Sequence, residues 1–144
     1  MRILVVNDLL QGGGVEKLMY DVVMRLRQQH EVAILTDKKD ADFDKVYPAD
    51  VKYFYQMEEE YPKGKNRLER KMIARKRARA EQELKDTIRK MNFDVLLCMK
   101  ESWIMWMAVT YGEYIPKRVA WVHTDYKKSY YTKEWYTPEE EIIS

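Results

Sequence analysis

The chain has 144 residues, of which 46% are apolar and 35% charged, with five Gly and four Pro; this composition excludes collagenous, low-complexity and disordered classes. A single domain spanning 1–144 buries roughly 68–70% of its unfolded surface, enough for a core without disulfide or metal staples. The longest nearly uninterrupted apolar run, Trp103 to Val109, is far below the ~18 residues of a membrane span, and Met1–Val6 is too short for a signal-peptide core. The expected location is the cytoplasm, with attachment to the inner membrane face as the only membrane role. Cys98 is the only cysteine and is accompanied by two distant histidines, His30 and His123, so neither an intrachain disulfide nor a zinc site is expected. The net charge of +2 hides an asymmetry, because Lys63 to Lys90 carries 12 basic and 4 acidic side chains, a local +8. Such a block suggests an anionic partner for one face.

The elements alternate along the chain. Arg2 to Asn7 is a short apolar run rich in β-branched residues and reads as a buried strand. After Gly12, Gly13 and Gly14, the apolar positions Val15, Leu18, Met19, Val22, Val23 and Leu26 recur at the spacing of one helix face. Glu31 to Thr36 repeats the strand pattern, polar Asp37 to Asp44 reads as loop, and Val51 to Tyr55 is a third strand. Lys65 to Met91 lacks Gly and Pro, and Leu84, Ile88 and Met91 form a stripe; the spacing predicts one long helix starting near Asn66. Asp94–Cys98 is a further strand, Ser102 is placed to cap a helix through Tyr111, and Arg118–Val122 is a fifth strand. Strands joined by helices of this length predict a parallel sheet with helices on both faces. Sites in such sheets lie beyond the carboxyl ends of the strands, which singles out Asn7–Gly14, Met99–Ser102 and His123–Tyr126.

Several chemistries fail on spacing. A dinucleotide fingerprint needs its glycines directly after the strand, but Asp8 to Gln11 intervenes and Lys17 stands where a small residue belongs. A P-loop string is absent. No aspartate ends the third strand, which removes phosphoryl-acceptor chemistry of the receiver type. No Gly-x-Ser-x-Gly elbow is present, and Cys98 lies inside an apolar strand as inert core.

One reading joins several segments. Asn7 to Lys17, with its Gly-Gly-x-Glu-Lys passage from strand to helix, resembles the start of the first helix in GT-B glycosyltransferases, particularly those of family 4. In the same order, His30–Thr36 resembles that family's second strand, Asn92–Leu97 its Asp-Val-Leu strand, and Ala120–Tyr126 its strand ending in histidine. The resemblance covers essentially the whole chain. It implies an α/β Rossmann-like parallel sheet flanked by helices, the N-terminal half of a GT-B fold. It implies transfer of a sugar from a nucleotide-sugar to a polysaccharide or lipid-linked acceptor. The nucleotide-sugar is then a substrate, and no cofactor or metal is expected.

Within that resemblance Gly12, Gly13 and Gly14 line the cleft floor, Glu16 and Lys17 fix the first helix, and His123 sits beside the reacting centre, with Asp125 a weaker substrate-binding candidate. Independently of it, three glycines allow a ligand close to the amides of a helix N-terminus, where partial positive charge favours phosphate or carboxylate; a simple tight turn is the competing reading. His123 could accept a proton or bond a sugar hydroxyl, or serve structure alone. The donor-binding C-terminal half has no counterpart here, since Glu139, Glu140 and Glu141 form a clustered acidic tail instead of a Glu-x7-Glu pattern. The expectation is therefore a domain cut before the interdomain linker, inactive on its own, whose partner is a separate donor-binding domain.

The basic helix offers Arg67, Arg70, Lys71, Arg75, Lys76, Arg77 and Arg79 with few acidic neighbours to pair them. Anionic lipid attracts such side chains by about 1 kcal/mol each, and Leu68, Met72 and Ile73 could add shallow insertion. A competing class is a non-enzymatic interaction module that uses this helix on a membrane or acidic protein. An ordinary amphipathic helix on the sheet is the structural alternative, and no groove-reading motif supports nucleic acid.

Overall fold

The computed structural model describes residues 1–8, 14–39, 46–57, 61–101 and 103–121. Eight elements follow one another: β1 (Arg2–Val6), α1 (Gly14–Leu26), β2 (Glu31–Lys38), β3 (Lys52–Met57), α2 (Arg67–Lys90), β4 (Val95–Cys98), α3 (Trp103–Tyr111) and β5 (Lys117–Ala120). The five strands form one parallel sheet in the order β3-β2-β1-β4-β5. This is the α/β Rossmann-like sheet that the alternating pattern predicts.

Alternation along β1 splits the core into two layers. Ile3 and Val5 point toward α1 and pack with Met19, Val23, Val32 and Ile34. Leu4 and Val6 point the other way and pack with Ile88 of α2 and with Ile104, Met107 and Tyr111 of α3. All of β1 except Arg2 is buried, as expected of a central strand covered on both faces. Asp94 ties the amino ends together: its N–H donates to the Arg2 carbonyl at 2.8 Å, and its Oδ2 accepts the Arg2 N–H at 2.8 Å.

Two boundaries differ from the sequence reading. β2 continues through Asp37 and Lys38, residues read above as loop, because β3 itself runs to Met57 and pairs Lys38 with it. Backbone pairing at the sheet's rim satisfies the ladder whatever the side chains, so polarity misleads there. The last strand is Lys117–Ala120 in place of Arg118–Val122, since its register is set by the four residues of β4, beginning with Val95 opposite Lys117. Val122 lies outside the described residues.

α2 starts where Asn66 caps it, its side chain accepting from the Glu69 N–H at 2.9 Å, while Glu69 Oε2 accepts the Lys65 N–H at 2.7 Å. It ends at Met91, followed by Asn92 at φ 53°, a left-handed position that asparagine tolerates better than most residues. Its 24 residues extend about 36 Å, whereas the eight residues of β2 extend about 26 Å. The helix outreaches the sheet it covers. Ile88 is buried, with Leu84 and Met91 packed against the same layer, while from Arg67 to Arg79 every residue is exposed except the half-buried Ile73.

Candidate functional site

The order β3-β2-β1-β4-β5 reverses direction at the centre: the chain moves outward from β1 to β3, then returns to the other side of β1. Connections leave the ends of β1 and β4 in opposite directions there, opening the crevice in which α/β sheets bind ligands. Hydrogen bonding carries the strand ends beyond their last paired residues and levels them. Asn7 N–H donates to the Leu35 carbonyl at 3.1 Å, Met99 N–H to Val6 at 3.0 Å, and Trp121 N–H to Cys98 at 2.8 Å.

Charged side chains stand on this rim. Lys100 Nζ lies 2.7 Å from Asp8 Oδ2, an ion pair spanning the ends of β1 and β4. Beside it Asn7 is wholly buried; its Nδ2 donates weakly to Met19 Sδ at 3.5 Å, and its Oδ1 has no hydrogen-bond partner among the described residues. An unmatched buried acceptor costs about 1–3 kcal/mol, which marks this position as more than packing. Glu101 is buried as well, at 7% exposure. Burial pushes the Cys98 thiol up from its ordinary pKa, the Lys100 backbone acts in the opposite sense and the Glu101 charge adds to the rise; the thiol donates to the Lys100 carbonyl at 3.2 Å. Cys98 is therefore a protonated core residue and no nucleophile.

The sequence-predicted residues fall unevenly on this geometry. Gly14 is the first residue of α1, and Glu16 lies in its first turn, so the helix N-terminus lies beyond β1 as predicted. Gly12, Gly13, Ser102, His123 and Asp125 lie outside the described residues. Arg67, Arg70, Lys71, Arg75, Lys76, Arg77 and Arg79 all lie on the exposed part of α2. Lys76 Nζ and Arg77 Cζ stand over the Tyr61 ring at 5.7 Å and 5.2 Å from its centroid. The Asp8–Lys100 pair was not singled out in the sequence, although both residues fall in segments that topology marked. The signal was the first charged residue after each of two central strands.

A shallow surface depression of about 610 Å³ lies at the opposite, amino end beside Arg2, His30 and Glu31. Arg2 and Glu31 pair there at 2.9 Å. Among the described residues no group of three or more His, Cys, Asp or Glu side chains could hold a metal ion, and no helix is long and apolar enough to cross a membrane.

A family profile described as Glycosyltransferase Family 4 matches residues 12–141. The chain belongs to glycosyltransferase family 4. A comparison with curated proteins gave no match. In this family 4 domain the matched region runs from Gly12 through all the elements after β1.

Proposed function

We propose that this family 4 domain is the N-terminal, acceptor-side half of a GT-B transferase, which moves a sugar from a nucleotide-sugar to a polysaccharide or lipid-linked acceptor. The observation that carries the reading is the Asp8–Lys100 pair at 2.7 Å in the crevice where strand order reverses. In the reaction an acceptor hydroxyl loses its proton to a neighbouring base and forms a bond to the anomeric carbon of the donor, and the nucleoside diphosphate leaves with the bonding electrons. This half would hold the acceptor: Asp8 is a hydrogen-bond acceptor for its hydroxyls, and Lys100 a cation for the charge that develops on the leaving diphosphate. The amides at the start of α1, reached through Gly12, Gly13 and Gly14, would favour the same anion. His123 would sit beside the reacting hydroxyl, with Asp125 as a further substrate contact. Donor affinity would reside in a partner domain, leaving residues 1–144 without turnover of their own.

The experiment is a titration followed by amide chemical shifts. Acceptor saccharides should perturb Asp8, Gly14, Lys100 and Glu101, whereas nucleotide-sugars alone should perturb them weakly. Acceptors that leave the amides of Asp8 and Lys100 unmoved would overturn the reading.

The overhanging part of α2 favours a second element of it, attachment to an anionic membrane surface that brings the crevice to a lipid-linked acceptor. Seven cations and the exposed Leu68 and Met72, at 69% and 62% exposure, support this. Sedimentation with phosphatidylglycerol vesicles that disappears at high salt is the expected outcome. Equal sedimentation with neutral phosphatidylcholine vesicles would count against it.

A further inference from the structure

Between α2 and the edge strand β3 runs a groove of about 410 Å³, within the size range of small-molecule sites. It exists because of an anomaly in the helix. Lys76, Ala80, Glu83, Leu84 and Thr87 line it, and their spacing puts them on one helix face, the face that looks onto β3. Large apolar side chains belong on a face directed at a sheet. Here Leu84 alone is of that kind, Ala80 is small, and the rest are polar, so helix and strand do not close on each other.

The chemistry of the walls is specific. Phe54 and Leu84 supply an apolar floor, and Gln56 on β3, whose side chain also interacts with the Tyr111 phenol, supplies an amide. Glu83 faces it from α2 and forms no ion pair among the described residues. Tyr61 stands at the lip, with the cationic groups of Lys76 and Arg77 drawn over its ring. A carboxylate and an amide opposite an apolar floor suit a polyol ring, which has hydroxyls at its rim and C–H groups on its faces. Lys76 in the wall, with Arg77 beyond the lining on the same Tyr61 ring, suits a phosphate at that end.

We propose that this groove binds a free sugar monophosphate, its ring hydroxyls on Glu83 and Gln56, its C–H face on Phe54 and Leu84, and its phosphate at Lys76 and Arg77. The site is separate from the crevice at Asp8 and Lys100, and it stands whether or not that crevice takes an acceptor.

Titration with glucose 1-phosphate, followed by amide shifts, tests it. Saturable shifts are expected at Gln56, Ala80 and Glu83, with glucose and inorganic phosphate each binding at least about tenfold more weakly, because each keeps only part of the contacts. Ala80→Leu fills the groove with a good helix former and should abolish those shifts while the far-ultraviolet circular dichroism stays native. Lys76→Met should weaken glucose 1-phosphate about tenfold and leave glucose unaffected. Unchanged binding by Ala80→Leu, equal affinity for inorganic phosphate, or shifts confined to Asp8 and Lys100 would each overturn the proposal, as would the absence of saturable shifts.

Discussion

Asp8 and Lys100, 92 positions apart in the chain, meet at 2.7 Å because β1 and β4 are adjacent in register. Their side chains are 22% and 33% exposed, so water screens the pair and its worth to stability is about 1 kcal/mol or less. Lys100→Met should therefore shift the urea midpoint only slightly, yet weaken acceptor binding by about tenfold or more. A large loss of stability with unchanged binding would show that the pair is structural.

The two halves of α2 should respond differently to truncation. Ile88→Ala removes a fully buried side chain and should cost about 2–5 kcal/mol of unfolding free energy. Leu68→Ala and Met72→Ala, in the overhang, should stay within about 0.5 kcal/mol. Denaturant melts of the three variants check this, and a large loss at Leu68 would mean that the overhang packs against something in solution.

The start of α2 depends on a single cap. Asn66→Ala removes the acceptor for the Glu69 N–H and should cost about 1 kcal/mol. Amide exchange in the first turn should speed up, with the last turn near Ile88 unaffected.

At its other end Asn92 holds a left-handed backbone, φ 53°. Asn92→Gly should be neutral or slightly stabilising, whereas Asn92→Val should cost about 1–2 kcal/mol because a β-branched side chain clashes there. Thermal melts of the pair would contradict the assignment if valine were tolerated as well as glycine.

Alkaline pH should unfold the domain progressively. Burial raises the Tyr111 phenol from 10.0 to about 12, and raises Tyr47 further, because the ionised form is desolvated. With a folded-state pKa above the unfolded one, the stabilisation is complete below pH 10 and is lost as pH rises toward about 12. Cys98, also raised by burial from 9.0, starts the decline earlier. Urea midpoints should hold to about pH 9 and then fall, and Tyr111→Phe should flatten the part of the fall that lies above pH 10. At the acid end the Asp50 carboxylate, hydrogen-bonded by Arg27 at 2.7 Å, lies below its ordinary value. Its contribution, present above pH 3.8, is lost as pH falls through that depressed value.

The sheet and its two apolar layers were legible because central strands lie in a uniform environment. Ile3 to Val6 are buried on both faces whatever else the chain does, and α1 must turn Met19 and Val23 toward them. The rim was less legible. Asp37 and Lys38 lie in a strand despite their polarity, because the backbone of β3 supplies their partners, and local pattern cannot reveal a partner 19 residues away.

What the sequence by itself determined is the α/β class, the helix from Asn66 and the positive block along it, since periodicity, capping and charge are local properties. Tertiary structure alone decided that Lys100 meets Asp8 and that the start of α2 is exposed on all its faces. It also decided that Ala80 faces β3 across a groove. Each of these depends on strand order and on the relative lengths of helix and strand, which emerge only when distant segments share one core.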